Sequence, residues 1–178
     1  DHLDLMTEVM EAEPLPGPDP YVPGEARLRL GVGYEGGFSQ DIVINGTTTN
    51  FFIFIIEGSG QLTFTQEPSD DRVEGVISEK ITLVGTPFWG GGVIYTQPCN
   101  LAQWGTMNIS LKSSDPSFET FDLTVQSGEP PVGYSVDPTA YGYVNDGEWH
   151  NLQIPVQDFI DQGYDPADCR SPLIFGAP

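Results

Sequence analysis

Basic residues are scarce: 6 Lys and Arg stand against 26 Asp and Glu, leaving the 178 residues with a formal charge of −20. A field of that sign repels phosphate backbones and anionic headgroups, which argues against nucleic acid and membrane surfaces as partners. Long apolar runs are also missing. The longest, 51–56, has six residues, against the ~18 that a membrane helix needs, so no membrane insertion is expected. Histidine is reduced to His2, near the N-terminus, and His150. No H-E-x-x-H, G-x-S-x-G, P-loop or strand–helix G-x-G-x-x-G pattern occurs. The paired-carboxylate strand motif E-x-D-x-x-E is absent as well. With 26 acids some pair will stand at glycosidase spacing by chance. No enzyme is expected.

Cysteine is limited to Cys99 and Cys169. Neither has His or a second Cys pair nearby at zinc spacing. Both lie in polar, Pro-flanked segments, whereas unpaired structural thiols usually sit in apolar runs. An extracellular disulfide is the expectation, worth about 4 kcal/mol in the chain-entropy account of loop closure. The acid excess suits two settings: salty water that screens carboxylate repulsion, or secretion with solubility maintained by charge.

What is present excludes disorder. Hydrophobic residues make up 38% and aromatics 11%, which is core material that disordered segments lack. Gly 21 and Pro 16 favour strands and turns over helices. Residues 1–24 read as an acidic, Pro-rich tail or linker, with Leu3, Met6 and Met10 at roughly helical spacing and an extended polyproline-type run over 13–20. A single domain over 25–178 follows. Its first strand is Ala26–Val32, where Ala26, Leu28, Leu30 and Val32 alternate with arginines. Further strands are expected over 49–56 (the most apolar, and so central), 61–67, 73–83, 107–112, 121–126 and 150–155. Residues 68–71 form a turn, and one short helix runs from Val156 to Gln162, stopped by Gly163. Many short strands without βαβ alternation predict an all-β fold of two packed antiparallel sheets.

Aromatic residues beside glycines and amides carry the strongest chemical signal. Trp89 precedes three glycines and Tyr95 follows them; Trp104 sits among amides; Tyr141 and Trp149 are flanked by turn residues. A sugar has an apolar face and a hydroxyl rim, so an exposed ring edged by Asn, Gln, Asp or Glu suits it. Such a ring adds ~1 kcal/mol beyond burial, by analogy with aromatic pairs. The same side chains serve equally as core anchors, and a glycine triplet also marks a bulge or close sheet packing. Strict alternation puts Trp149 on the face of Asn151 and Gln153, opposite Leu152 and Ile154; a bulge there turns it inward.

Residues 104–159 resemble the second half of the galactose-binding-like, jelly-roll carbohydrate-binding modules of secreted bacterial polysaccharide-degrading proteins. The resemblance lies in 107–114, in 118–125, and in Asp146-Gly147-Glu148-Trp149-His150 leading to Ile154-Pro155-Val156-Gln157-Asp158-Phe159. Arg72-Val73-Glu74-Gly75 and Tyr34-Glu35-Gly36-Gly37 fit the same plan. The resemblance implies a jelly-roll β-sandwich that grips a glycan, with a structural Ca²⁺ held by carboxylates. Glu25 and Glu74 match that placement. It also implies one more acidic strand after Leu173–Gly176, which this sequence lacks, so a sandwich short of its closing strand is expected.

Two functions follow. The first is a non-catalytic module of a secreted protein that binds a neutral polysaccharide, such as a β-glucan, through Trp89, Tyr95, Trp104, Tyr141 and Trp149. Neutrality follows from the charge, since only four arginines face an acidic ligand. The second is a structural subunit of an extracellular assembly, each sandwich completed by a strand from a neighbour.

Overall fold

The computed structural model describes residues 42–44, 47–56, 63–73, 78–84, 88–113 and 118–177. The tail over 1–24 and the strand expected at Ala26–Val32 lie outside them. The described chain is all-β. Its strands are β1 (Ile42–Ile44), β2 (Thr47–Ile56), β3 (Thr63–Ser69), β4 (Ser78–Val84), β5 (Phe88–Tyr95), β6 (Thr106–Leu111), β7 (Asp122–Ser127), β8 (Val132–Val136), β9 (His150–Pro155) and β10 (Cys169–Ala177). One sheet has the order β1-β2-β5-β10-β7-β8; β3 pairs with β4, and β6 with β9. Every pairing is antiparallel.

Alternation drives the layering. Leu123 and Val125 of β7 are buried while Asp122 stays exposed, as period two requires. In β9, Leu152 and Ile154 are fully buried and Gln153 is exposed. These side chains meet in one core, with Tyr95, Leu123, Val125 and Val136 from the large sheet against Leu152 and Ile154. Met107, Ile109 and Leu111 of β6 pack on the same cluster. The apolar faces of β6 and β9 therefore point toward the six-stranded sheet, and their polar faces point away from it.

Three strands defeat the sequence pattern. The stretch 88–95, absent from the strands expected above, is the strand β5, paired with β2 on one side and β10 on the other. Gly92 makes this possible: a Cβ there would stand 2.2 Å from the Leu173 carbonyl oxygen. Only glycine lets the two backbones approach so closely. The most interior places of the sheet belong to β5 and β10, while β2 is one strand further out, against the three-residue β1. β10 contains the buried Pro172, which no regular central strand accepts. The register with β7 shifts between Ser171 and Ile174, so the proline falls at an irregularity. The stretch 173–176, expected to precede an absent strand, is itself part of β10. β8, with exposed Val132 and Gly133, lacks a readable apolar stripe.

The single α-helix among the described residues, α1 (Gln157–Ile160), matches the expected one in place but is shorter. Phe159 is its buried anchor, and Gly163 follows at φ 114°. No helix among the described residues is long and apolar enough to cross a membrane.

The expected disulfide is not formed: Cys99 and Cys169 are both buried, with no S–S bond between them. They face each other in an isolated antiparallel bridge, exchanging N–H···O bonds of 2.9 and 3.1 Å. That doubly bonded pair type holds side chains farther apart than the alternative pairing does. The polar sequence around them misled, because the fold seals both thiols against Tyr95, Tyr164 and Val125 in the core. Burial pushes the Cys169 thiol up to about 12. Neither cysteine should therefore react with a soluble aromatic disulfide reagent at pH 8 in the native protein, and both should titrate in guanidinium. Absence of titratable thiol after unfolding would reverse this finding.

Candidate functional site

The five aromatics proposed as a platform have separate places. Trp89 is in β5, with Ile55 and Ala177 as its register partners, so it is a strand residue and not a loop residue. Tyr95 closes the same strand and is buried in the core, its phenol without a hydrogen-bond partner. Desolvation holds that phenol well above the usual tyrosine range. Trp104 is half-buried and packs on the core before β6 begins, its indole N–H enclosed without a partner. Tyr141 ends a 3-10 turn and donates its hydroxyl to Asp158 Oδ2 at 2.6 Å. That bond, with burial, pushes its phenol up to about 12.

Trp149 stands apart from these. It immediately precedes β9, whereas Trp104 lies at the opposite end of the β6–β9 ladder, where Val156 N–H donates to Gly105 O. The six-residue ladder, about 20 Å long at ~3.4 Å per residue, lies between the two residues. The structure does not join Trp104 and Trp149 into one platform.

It assembles another surface instead. On the face of β6–β9 turned away from the core, Asn108 is paired with Gln153 and Ser110 with Asn151. Continuing the register by one position brings Lys112 opposite Trp149. Asn151 Nδ2 donates to Ser110 Oγ at 3.1 Å, fixing one pair. Asn108, Lys112 and Gln153 are exposed; Ser110, Trp149 and Asn151 are half-buried. The result is a polar strip about 14 Å long at ~3.4 Å per residue, with an indole at one end. Amides and a hydroxyl offer both donors and acceptors along it.

The Trp149 end is tied down from two sides. Asp71, in the turn after β3, accepts the Trp149 indole N–H at 2.8 Å and pairs with Lys112 Nζ. The bonds from Lys112 and Trp149 hold the Asp71 carboxyl below its ordinary value. On the other side, Asp146 accepts the Glu148 N–H at 2.9 Å and contacts His150 Nε2 at 2.8 Å. Gly147 N–H donates to Ser113 O at 2.9 Å, and the His150 ring meets Tyr143 edge-on with centroids 6.1 Å apart. The turn that launches Trp149 is thus bonded at nearly every residue. His150 is partly buried beside Tyr143 and Asp146.

Sequence reasoning missed Asp71 and the strip of Asn108, Ser110, Asn151 and Gln153. The alternation of each strand was visible, but their pairing was not, so two polar faces were never read as one surface. Glu25 and Glu74, the Ca²⁺ ligands implied by the resemblance, lie outside the described residues. Among the described residues, no three His, Cys, Asp or Glu side chains gather to hold a metal. No protein-family model, no curated protein and no solved structure matches the chain.

Proposed function

We propose that this chain is a non-catalytic module of a secreted protein, a jelly-roll-type sandwich that binds a neutral polysaccharide, with a β-glucan as the leading candidate. Its platform is the outer face of β6–β9. The observation that carries the reading is the cross-strand strip Asn108–Gln153 and Ser110–Asn151, polar throughout and closed at one end by Lys112 and the Trp149 indole, which share Asp71. A linear glycan laid along the strip would place hydroxyls against amides and one ring against the Trp149 end. Neutrality is favoured because Lys112, the cation of the strip, is paired with Asp71. The surrounding charge of −20 repels acidic chains.

Affinity electrophoresis of the protein through a panel of neutral polysaccharides tests this. Removing both amides in Asn151→Ala/Gln153→Ala deletes contacts worth ~1 kcal/mol each, so retention should fall about 30-fold. Trp149→Ala should weaken it by about fivefold through the ring alone. Gln153 is exposed, and Asn151 gives up one part-buried bond to Ser110 Oγ worth ~1 kcal/mol, so the melting temperature should fall by only a few degrees. A protein that no glycan in the panel retards would overturn the reading.

Assembly by strand addition finds less support at the β8 edge. There Gln162 Nε2 donates to Ser135 O at 3.1 Å, so the segment following α1 already occupies a backbone acceptor of that strand. An edge covered in this way is a common guard against pairing with a neighbour.

A further inference from the structure

Asp71 belongs to neither strand of the platform, yet its carboxylate serves two platform side chains. One oxygen takes the Trp149 indole N–H at 2.8 Å and the other pairs with Lys112 Nζ. The turn presenting it is itself braced. Asp71 N–H donates to Ser69 Oγ at 3.2 Å, Ser78 Oγ donates to Asp71 O at 2.6 Å, and Arg72 Nη1 donates to Asp70 O at 2.8 Å. A carboxylate on a braced turn is a fixed post; of its partners, Lys112 is otherwise a rotor-rich side chain and the Trp149 indole would otherwise turn about its two side-chain torsions.

We propose that Asp71 is the positioning residue of the glycan platform, so that the site is composite: built on β6–β9 and completed by the β3–β4 hairpin. This rests on the function proposed above. An indole pinned through its N–H keeps one orientation before ligand arrives, so binding does not have to order it. Freezing a free side chain on association weakens binding by roughly two- to tenfold. Lys112 is held by the same group and cannot sweep across the strip. Asp71 touches no sugar in this account; it acts through Trp149 and Lys112.

The test uses the full chain labelled with 5-fluorotryptophan, the Trp149 resonance being assigned by Trp149→Phe. Asp71→Ala should move the Trp149 fluorine resonance and weaken retention on the neutral glycan by about fivefold. Asp71→Asn keeps an oxygen acceptor of the same reach and should restore both to within about twofold. Trp149→Phe, which retains a ring but no N–H, should lose about as much as Asp71→Ala, and the double variant should lose no more than either. Asp71→Ser removes the carboxylate with a small polar group and serves if the alanine variant does not fold. A resonance that moves while retention stays unchanged overturns the positioning role and leaves the glycan function intact. Additive losses in the double variant overturn it too. A wild-type protein retained by no glycan removes the function itself, and this role with it.

Discussion

Gly92→Ala is expected to lower the melting temperature by about 10 °C, a large loss for the addition of a single methyl group. The added Cβ would sit 2.2 Å from Leu173 O and 2.8 Å from Ile174 Cα. Both are backbone atoms of β10, and Ile174 is paired on its far side with Thr124 of β7, so the strand cannot retreat there without disturbing a second ladder. Overpacking that a side chain cannot relieve reaches about 3 kcal/mol. A domain of this length loses roughly 2–4 °C per kcal/mol. Two other glycines provide the scale. At Gly105 a Cβ would meet nothing within 4 Å, and at Gly133 it would meet Thr124 Cγ2 at 3.1 Å, the end of a side chain. Gly105→Ala should be neutral and Gly133→Ala mild. Scanning calorimetry of the three variants decides the matter; equal melting temperatures for Gly92→Ala and Gly105→Ala would refute the close β5–β10 packing.

That contact also explains why the fold was only partly legible in the sequence. β6, β7 and β9 announce themselves because each has one wet face, so apolar and polar residues must alternate. β9 was delimited at both ends, His150 to Pro155, for that reason. β5 has partners on both sides, and three consecutive residues without side chains erase any period. The reason for Gly92 is a backbone approach from β10, about eighty positions later in the chain, and no local pattern encodes it. β10 hides in the same way behind Pro172 and Gly176. The cysteines show the converse failure. Asn100 beside Cys99 is exposed and Asp168 and Arg170 beside Cys169 are half-buried, but the thiols turn inward, and a sequence window averages over both directions.

The candidate site was legible in its materials and illegible in its assembly. Alternation placed Trp149 with Asn151 and Gln153, and separately placed Asn108, Ser110 and Lys112 on one face of their strand. Register alone joins these into a strip, and register is a tertiary property. The Asp71 tie lies further from view still, since 78 positions separate it from Trp149. Tyr95 and Trp104 attracted attention as aromatics beside glycine or amide, yet such neighbours are equally common where a chain leaves or approaches a core. Burial separates the two cases, and it is decided by what packs from elsewhere.

The core beneath the strip and the polar face above it should respond in opposite ways to substitution. Leu152 is fully buried, directly between Asn151 and Gln153 in the chain and opposite Ile109 across the ladder. Leu152→Ala removes three methylene-sized groups from a site packed by both sheets and should cost about 3 kcal/mol, the transfer loss plus a cavity. That corresponds to a melting temperature roughly 10 °C lower. The backbone ladder that spaces the amides does not depend on that side chain. Well below its transition, the variant should therefore keep glycan retention within about twofold of the parent. Asn151→Ala should do the reverse, lowering the melting temperature by only about 3 °C through its lost bond to Ser110, while retention falls about fivefold, as the loss of one ~1 kcal/mol hydrogen bond to the ligand requires. Thermal denaturation and affinity electrophoresis on the same two preparations would separate the effects. If Leu152→Ala abolished retention while still folded, the strip would depend on the packing beneath it, and the site would be better placed on the loops than on the ladder.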